Sequence, residues 1–242
     1  MRRLRTVTPV LPAESGTDHG LAYTVWMPAG EAPPRGGVVI LHGAGSCKEN
    51  HHDFARAVIA LGLAAIVFDQ RGHGQSERPM DGRALDDVAT MASLLRDRIG
   101  SGGAPLALRG SSMGGYLAIL AAAGVGARAV VAICPASTEG LRRGLAANTL
   151  DLDADRDALD ALLATHDLGL AVAELRVPLL VLHAEGDEQV PIEHSRELAT
   201  QMRAPGSRLI AIPGGHHRSI QHDQELQAVS LRFIARALLK AR

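Results

Sequence analysis

Apolar residues gather along this chain in short runs, separated by longer segments in which they recur every three or four positions. The runs at 38–41, 64–68, 106–108, 130–133, 179–182 and 208–212 are short and end in turns bearing Gly, Pro, Asp or Ser, so they predict buried strands. A further run at 21–27 predicts an antiparallel edge strand. The segments 50–61, 84–98, 113–123, 193–202 and 223–239 have helical spacing, the last with Leu226, Val229, Phe233 and Ala237 on one stripe, and predict amphipathic helices. Strands alternating with helices predict an α/β fold, a mostly parallel twisted sheet with helices on both faces. Residues 138–176 are longer than a plain crossover and predict two short helices, a small helical cap over the strand ends. The whole of 1–242 is then expected to form a single domain, with this cap as an insertion and not a second domain.

Composition narrows the functional classes. A chain of 242 residues buries roughly 70–75% of its unfolded surface, enough core without a disulfide or structural metal. With 25 Lys+Arg against 26 Asp+Glu and 2% aromatic residues, it offers neither the charge nor the stacking faces for nucleic acid. Cys47 and Cys134 stand far apart, which excludes a disulfide framework and a cysteine zinc site and fits free thiols in a reducing cytoplasm. Arg2, Arg3 and Arg5 are followed by Pro9, Pro12, Glu14 and Asp18 instead of an apolar core, so no secretory signal is expected. The uncharged stretch 110–126 is shorter than the roughly twenty residues of a spanning helix, so no stable membrane insertion is expected.

The chemistry gathers at strand ends. Gly110-Ser111-Ser112-Met113-Gly114 lies between a strand and a helix, the context in which a serine is held exposed on a strained turn. Its rival reading is a glycine-rich turn with Ser as a helix cap. His42-Gly43-Ala44-Gly45 follows another strand, and its small residues can turn the Ala44 N–H toward a developing oxyanion, with the Met113 N–H as partner. A dinucleotide fingerprint there fails because Lys48 holds the place of the third glycine. In Asp69-Gln70-Arg71-Gly72-His73-Gly74-Gln75-Ser76, Asp69 and Arg71 are expected to pair with each other and fix the loop. Asp187 follows a buried strand where it can orient a histidine, with Glu185 and Glu188 as competitors. The histidine comes from the adjacent pair His216 and His217, after the last strand. His42, His51, His52 and His73 lack metal-ligand spacing, and the aspartates at 151, 153, 155, 157 and 160 mimic a calcium loop but place Arg156 and Leu162 where one needs Gly and Glu. No metal and no cofactor is expected.

These blocks, in this order, resemble the α/β-hydrolase family over about residues 23–239. The resemblance implies the α/β-hydrolase fold and the order nucleophile, acid, histidine: Ser112, Asp187, His217. In similar sequences the histidine stands fifth from the proline closing the last strand, which selects His217 over His216; His222 falls on the helix surface. The implied activity is serine hydrolysis of an ester of a small or medium carboxylic acid, the partner being a small-molecule ester. The same triad also serves thioesters, amides, C–C bonds and acyl transfer, and a binding protein can carry the fold with an inert triad. Leu141, Leu145, Leu159, Leu162, Leu163 and Leu168 of the cap are expected to wall an apolar pocket. The cap's four arginines against eight acids disfavour an anionic substrate if that face lines the pocket.

Overall fold

The computed structural model describes residues 10–239; Arg2, Arg3 and Arg5 lie outside them. The apolar runs become strands β2 (Leu21–Trp26), β3 (Gly37–Leu41), β4 (Ala64–Phe68), β5 (Leu106–Ser111), β6 (Ala127–Ile133), β7 (Leu179–Ala184) and β8 (Arg208–Ile212), preceded by β1 (Glu14–Asp18). They form one eight-stranded sheet in the order β1-β2-β4-β3-β5-β6-β7-β8. The β1/β2 and β2/β4 pairs are antiparallel and the others parallel.

The expected edge strand is thus one place inside the edge. β1 itself was not legible, because Glu14-Ser15-Gly16-Thr17-Asp18 has no apolar residue. It is held by the β2 backbone through a two-residue turn at His19 and Gly20, both with positive φ (51° and 79°), whose twist suits a tight hairpin.

Successive side chains of a strand point to opposite faces, and here they feed two separate cores. Val39, Leu41, Ile66, Phe68 and Leu108 pack under α2 (Ala84–Ile99) and α3 (Met113–Ala121). Val38, Ile40, Ala65 and Val67 pack under α1 (His52–Ile59) and α8 (Gln224–Leu239). α7 (Ile192–Gln201) joins β7 to β8.

The segment 138–176 holds three helices where two were expected: α4 (Thr138–Ala147), α5 (Arg156–Thr165) and α6 (Leu168–Glu174). Helix starts explain part of the acidic set that mimics a calcium loop, Asp155 as the N-cap of α5 and Asp157 in its first turn. Asp155 accepts from the Ala158 N–H at 3.1 Å and Asp167 from the Leu170 N–H at 2.9 Å, so each satisfies an orphan donor at a helix N-terminus. Leu159, Leu162 and Leu163 of α5 meet Met80, Met113 and Tyr116 around a void of only about 10 Å³. They form packed core between the insertion and α3. No described helix is long and apolar enough to cross a membrane.

Candidate active site

β5 carries Ser112 to the carboxyl end of the sheet, at the start of α3. Its backbone stands at φ 52°, ψ −119°, a conformation that costs a non-glycine residue about 1–3 kcal/mol. Hydrogen bonds hold it there: the Ser112 N–H donates to the Ile133 carbonyl at 2.8 Å, and the Ser112 carbonyl accepts from the Tyr116 and Ala136 N–H groups, each at 3.1 Å. The flanking glycines permit the turn by their lack of bulk. A Cβ on Gly110 would overlap the Gly114 carbonyl, and one on Gly114 would overlap the His42 carbonyl. Ser112 consequently faces a cleft of about 830 Å³.

The turn after β3 lies against it, so close that a Cβ on Gly43 would sit 3.0 Å from Ser112 Cβ. Ala44 lines the same cleft, and Met113 opens α3 with its N–H at the positive end of the helix. Among the described residues neither N–H donates to a backbone acceptor.

Asp187 and His217 arrive from the loops after β7 and β8. His217 Nδ1 donates to Asp187 Oδ2 at 2.7 Å, while Asp187 Oδ1 accepts from the Gln189 and Val190 N–H groups, both at 2.9 Å. Burial alone would raise the Asp187 carboxyl, but bonds from His183, His217, the Val190 N–H and Cys134 outweigh it and hold the group far below the usual carboxylate range. Asp187 is therefore an anion at any working pH. His217 lines the same cleft as Ser112, with no direct hydrogen bond between the two side chains. His216 points elsewhere: it is exposed, and its backbone N–H donates to Ser219 Oγ. Glu185 pairs with Arg196 at 3.1 Å, Glu188 is exposed, and His222 meets Asp53 at 3.2 Å.

Residues 32–150 match the family model described as serine aminopeptidase, S33. A monoacylglycerol lipase from Mycolicibacterium smegmatis is 27% identical, across 85% of this chain and 88% of its own length. Among solved structures, Est1E from Butyrivibrio proteoclasticus with ferulic acid bound superposes with a TM-score of 0.70 at 22% identity, over 94% of this chain and 100% of that one. A monoacylglycerol lipase from Paleococcus ferrophilus gives 0.67 at 19% identity, over 90% and 98%.

The chain has the α/β-hydrolase fold. The hydrolase supports its turns with buried polar groups, and two of these differ from the sequence expectation. Asp69 does not pair with Arg71. It receives Lys48 Nζ at 2.8 Å and the Lys48 N–H at 2.7 Å, while Arg71 makes a two-pronged pair with Asp87 at 2.6 and 2.7 Å. Lys48 comes from the turn after β3, so this contact clamps the Gly43–Ala44 turn to the neighbouring loop. The sequence hid it because the two residues stand 21 positions apart.

His183 was likewise not singled out. Wholly buried at the end of β7, it donates from Nε2 to the Val190 carbonyl at 2.9 Å and meets the Ser195 hydroxyl with Nδ1 at 2.6 Å. Nε2 also lies 3.4 Å from Asp187 Oδ2, so the ring braces the loop that carries the acid. Cys134, His183 and Asp187 are the one cluster of potential metal ligands among the described residues, but both His183 nitrogens are already engaged. Arg109, on β5, extends Nη2 to the Gln221 carbonyl at 3.0 Å and stacks over Phe54, tying the chain just past His217 to the strand that leads to Ser112.

His42 shows how the fold depends on pH. Its Nε2 accepts from the Gln70 N–H at 2.9 Å, which leaves Nδ1–H to donate to the Gly43 carbonyl at 2.7 Å. Burial, assisted by His73, lowers its pKa from 6.5 to about 4. The unfolded chain therefore binds this proton first, and stability falls as the pH drops from about 7 to 4, by on the order of 3 kcal/mol for this group. A melting-temperature series is expected to decline across that interval; a flat series would contradict the buried neutral ring.

The cleft wall also corrects two expectations about the insertion. Of the leucines expected to wall the pocket only Leu141 does so, because Leu145, Leu159, Leu163 and Leu168 are buried in the core and Leu162 packs against it. Of the eight acids only Asp151 lines the cleft; Asp160, for example, pairs outward with Arg142 at 2.7 Å.

Proposed function

We propose that this hydrolase is a cytoplasmic carboxylesterase that cleaves esters of small or medium acyl groups through an acyl-enzyme on Ser112, with no metal or cofactor. The observation that carries the reading is the His217–Asp187 bond of 2.7 Å on the wall of the cleft into which a strained Ser112 points. Ser112 Oγ attacks the ester carbonyl as His217 Nε2 takes its proton. The oxyanion turns toward the Ala44 and Met113 N–H groups, and the alcohol leaves with the proton from His217. Water then repeats the sequence on the acyl-enzyme, returning the free acid and Ser112. Asp187 keeps the ring oriented and meets the imidazolium that forms at each stage. The activities named for the relatives, monoacylglycerol lipase among them, support ester chemistry.

The packing beside the cleft supports a short or medium acyl group. Each buried methylene of a chain gains about 0.8 kcal/mol only where an apolar wall receives it, and the apolar chamber beside the cleft is already filled by Met113, Tyr116 and Leu163. In a series of esters from acetyl to palmitoyl, kcat/KM is expected to peak at short or medium chains. A maximum on emulsified long-chain glycerides would contradict this reading, and hydrolysis of amides with esters untouched would move the chemistry to the aminopeptidase side of the family.

A further inference from the structure

The cleft wall is mixed, with charged side chains set among apolar ones. Its larger apolar side chains are Leu141, Leu150, Val190 and Pro191, and its charged ones are Arg143, Arg218 and Asp151. The two arginines reach it from different elements: Arg143 from α4 and Arg218 from the position after His217.

Arg142 and Arg143 are neighbours with opposite fates. Arg142 makes a two-pronged pair with Asp160 at 2.7 and 2.9 Å on the outer side of α4. Arg143 lines the cleft on α4 together with Leu141 and the small residues Gly140, Gly144 and Ala147. Side chains this small leave space around a guanidinium. Among the described residues neither Arg143 nor Arg218 has a hydrogen-bond or ion-pair partner, although Asp151 lines the same cleft. That carboxylate is packed against the oxyanion turn, 2.9 Å from where a Gly45 Cβ would stand.

We propose that the ester this enzyme takes carries a free carboxylate, received in the cleft by Arg143 and Arg218. Two planar donors that share a cleft with the nucleophile, and lack an acceptor of their own, suit a carboxylate better than any neutral group. The inference rests on the reading of Ser112 as nucleophile. It reverses the expectation that an acidic cap would repel anions, because Asp151 is the only one of the cap's eight acids that lines the cleft.

The test uses two matched pairs of esters. Monomethyl glutarate against methyl pentanoate places the carboxylate on the acyl side, and 3-acetoxypropanoate against propyl acetate places it on the alcohol side. In one pair the wild-type enzyme is expected to favour the anion by about tenfold in kcat/KM, through a lower KM. Arg143→Gln and Arg218→Gln should each cut that ratio about five- to tenfold, less than a buried charged bond is worth because both groups meet solvent. Added salt should lower it as well. Preference for the neutral ester in both pairs, or ratios that survive both substitutions, would overturn the proposal. A fluorophosphonate probe separates the two readings: if Ser112 labels and esters turn over without anionic preference, the carboxylate site alone is wrong. If the wild-type protein neither labels nor cleaves any of the four esters, the nucleophile assignment and this proposal fall together.

Discussion

Ser112→Ala is expected to lower ester turnover by roughly a millionfold while the protein stays folded. The size of the loss follows from how triad members act as a unit: without the attacking hydroxyl, the histidine and acid have nothing to activate, and removing the nucleophile alone costs about as much as removing all three. What remains comes from substrate binding and the N–H groups of Ala44 and Met113 acting on a water-borne reaction. Retained folding follows from the geometry. No hydrogen bond of the Ser112 hydroxyl is present among the described residues, so its loss orphans no partner, and the backbone bonds to Ile133, Tyr116 and Ala136 stay in place. Kinetics on a short-chain ester, with circular dichroism of the same preparation, check both halves. Activity above a few per cent of wild type would remove Ser112 from the nucleophile's place.

Asp187→Asn is expected to lower turnover about ten-thousandfold. The carboxylate now accepts from His217 on Oδ2 and from two backbone N–H groups on Oδ1. An asparagine can keep its oxygen on the two backbone donors, but its NH2 then faces His217 Nδ1. The ring must accept there, which leaves a proton on Nε2 and none of the basicity that Ser112 requires. His183 Nε2, 3.4 Å from the same Oδ2, meets that NH2 as a second donor, so some stability is lost too, about 1–3 kcal/mol. Glu185→Gln and Glu188→Gln should be mild, since both side chains stand in solvent. Parallel kinetics and thermal melts of the three variants decide the point: a severe Glu185 or Glu188 variant beside a mild Asp187 one would show the acid to be misplaced.

The strands that place these groups were legible because each interior strand is buried on both faces and so reads as an unbroken apolar run. β1 was not, since its pairing uses backbone groups and its side chains carry no signal. The elbow at Ser112 was legible from glycine spacing, because a carbonyl fills the space a Cβ would need at Gly110 and Gly114. Lys48 with Asp69, and His183 with Ser195, were hidden for a different reason. Such pairs are chosen by packing between separate loops, and adjacent residue types cannot report it. Arg142 and Arg143 make the same point at the cleft: identical and consecutive, one meets Asp160 and the other meets the cleft, and only the seating of α4 tells them apart. The lining of the cleft could not be read from the insertion's composition, because most of its leucines went into core and only one of its acids, Asp151, faces the cleft.

The central claim is that Ser112 is the nucleophile of this fold, and covalent trapping tests it most directly. Folded wild-type protein treated with a fluorophosphonate, digested and analysed by mass spectrometry, is expected to carry a single adduct on Ser112, lost when the protein is unfolded first and absent from Ser112→Ala. An adduct on the adjacent Ser111, or folded protein that remains unmodified, would contradict the account.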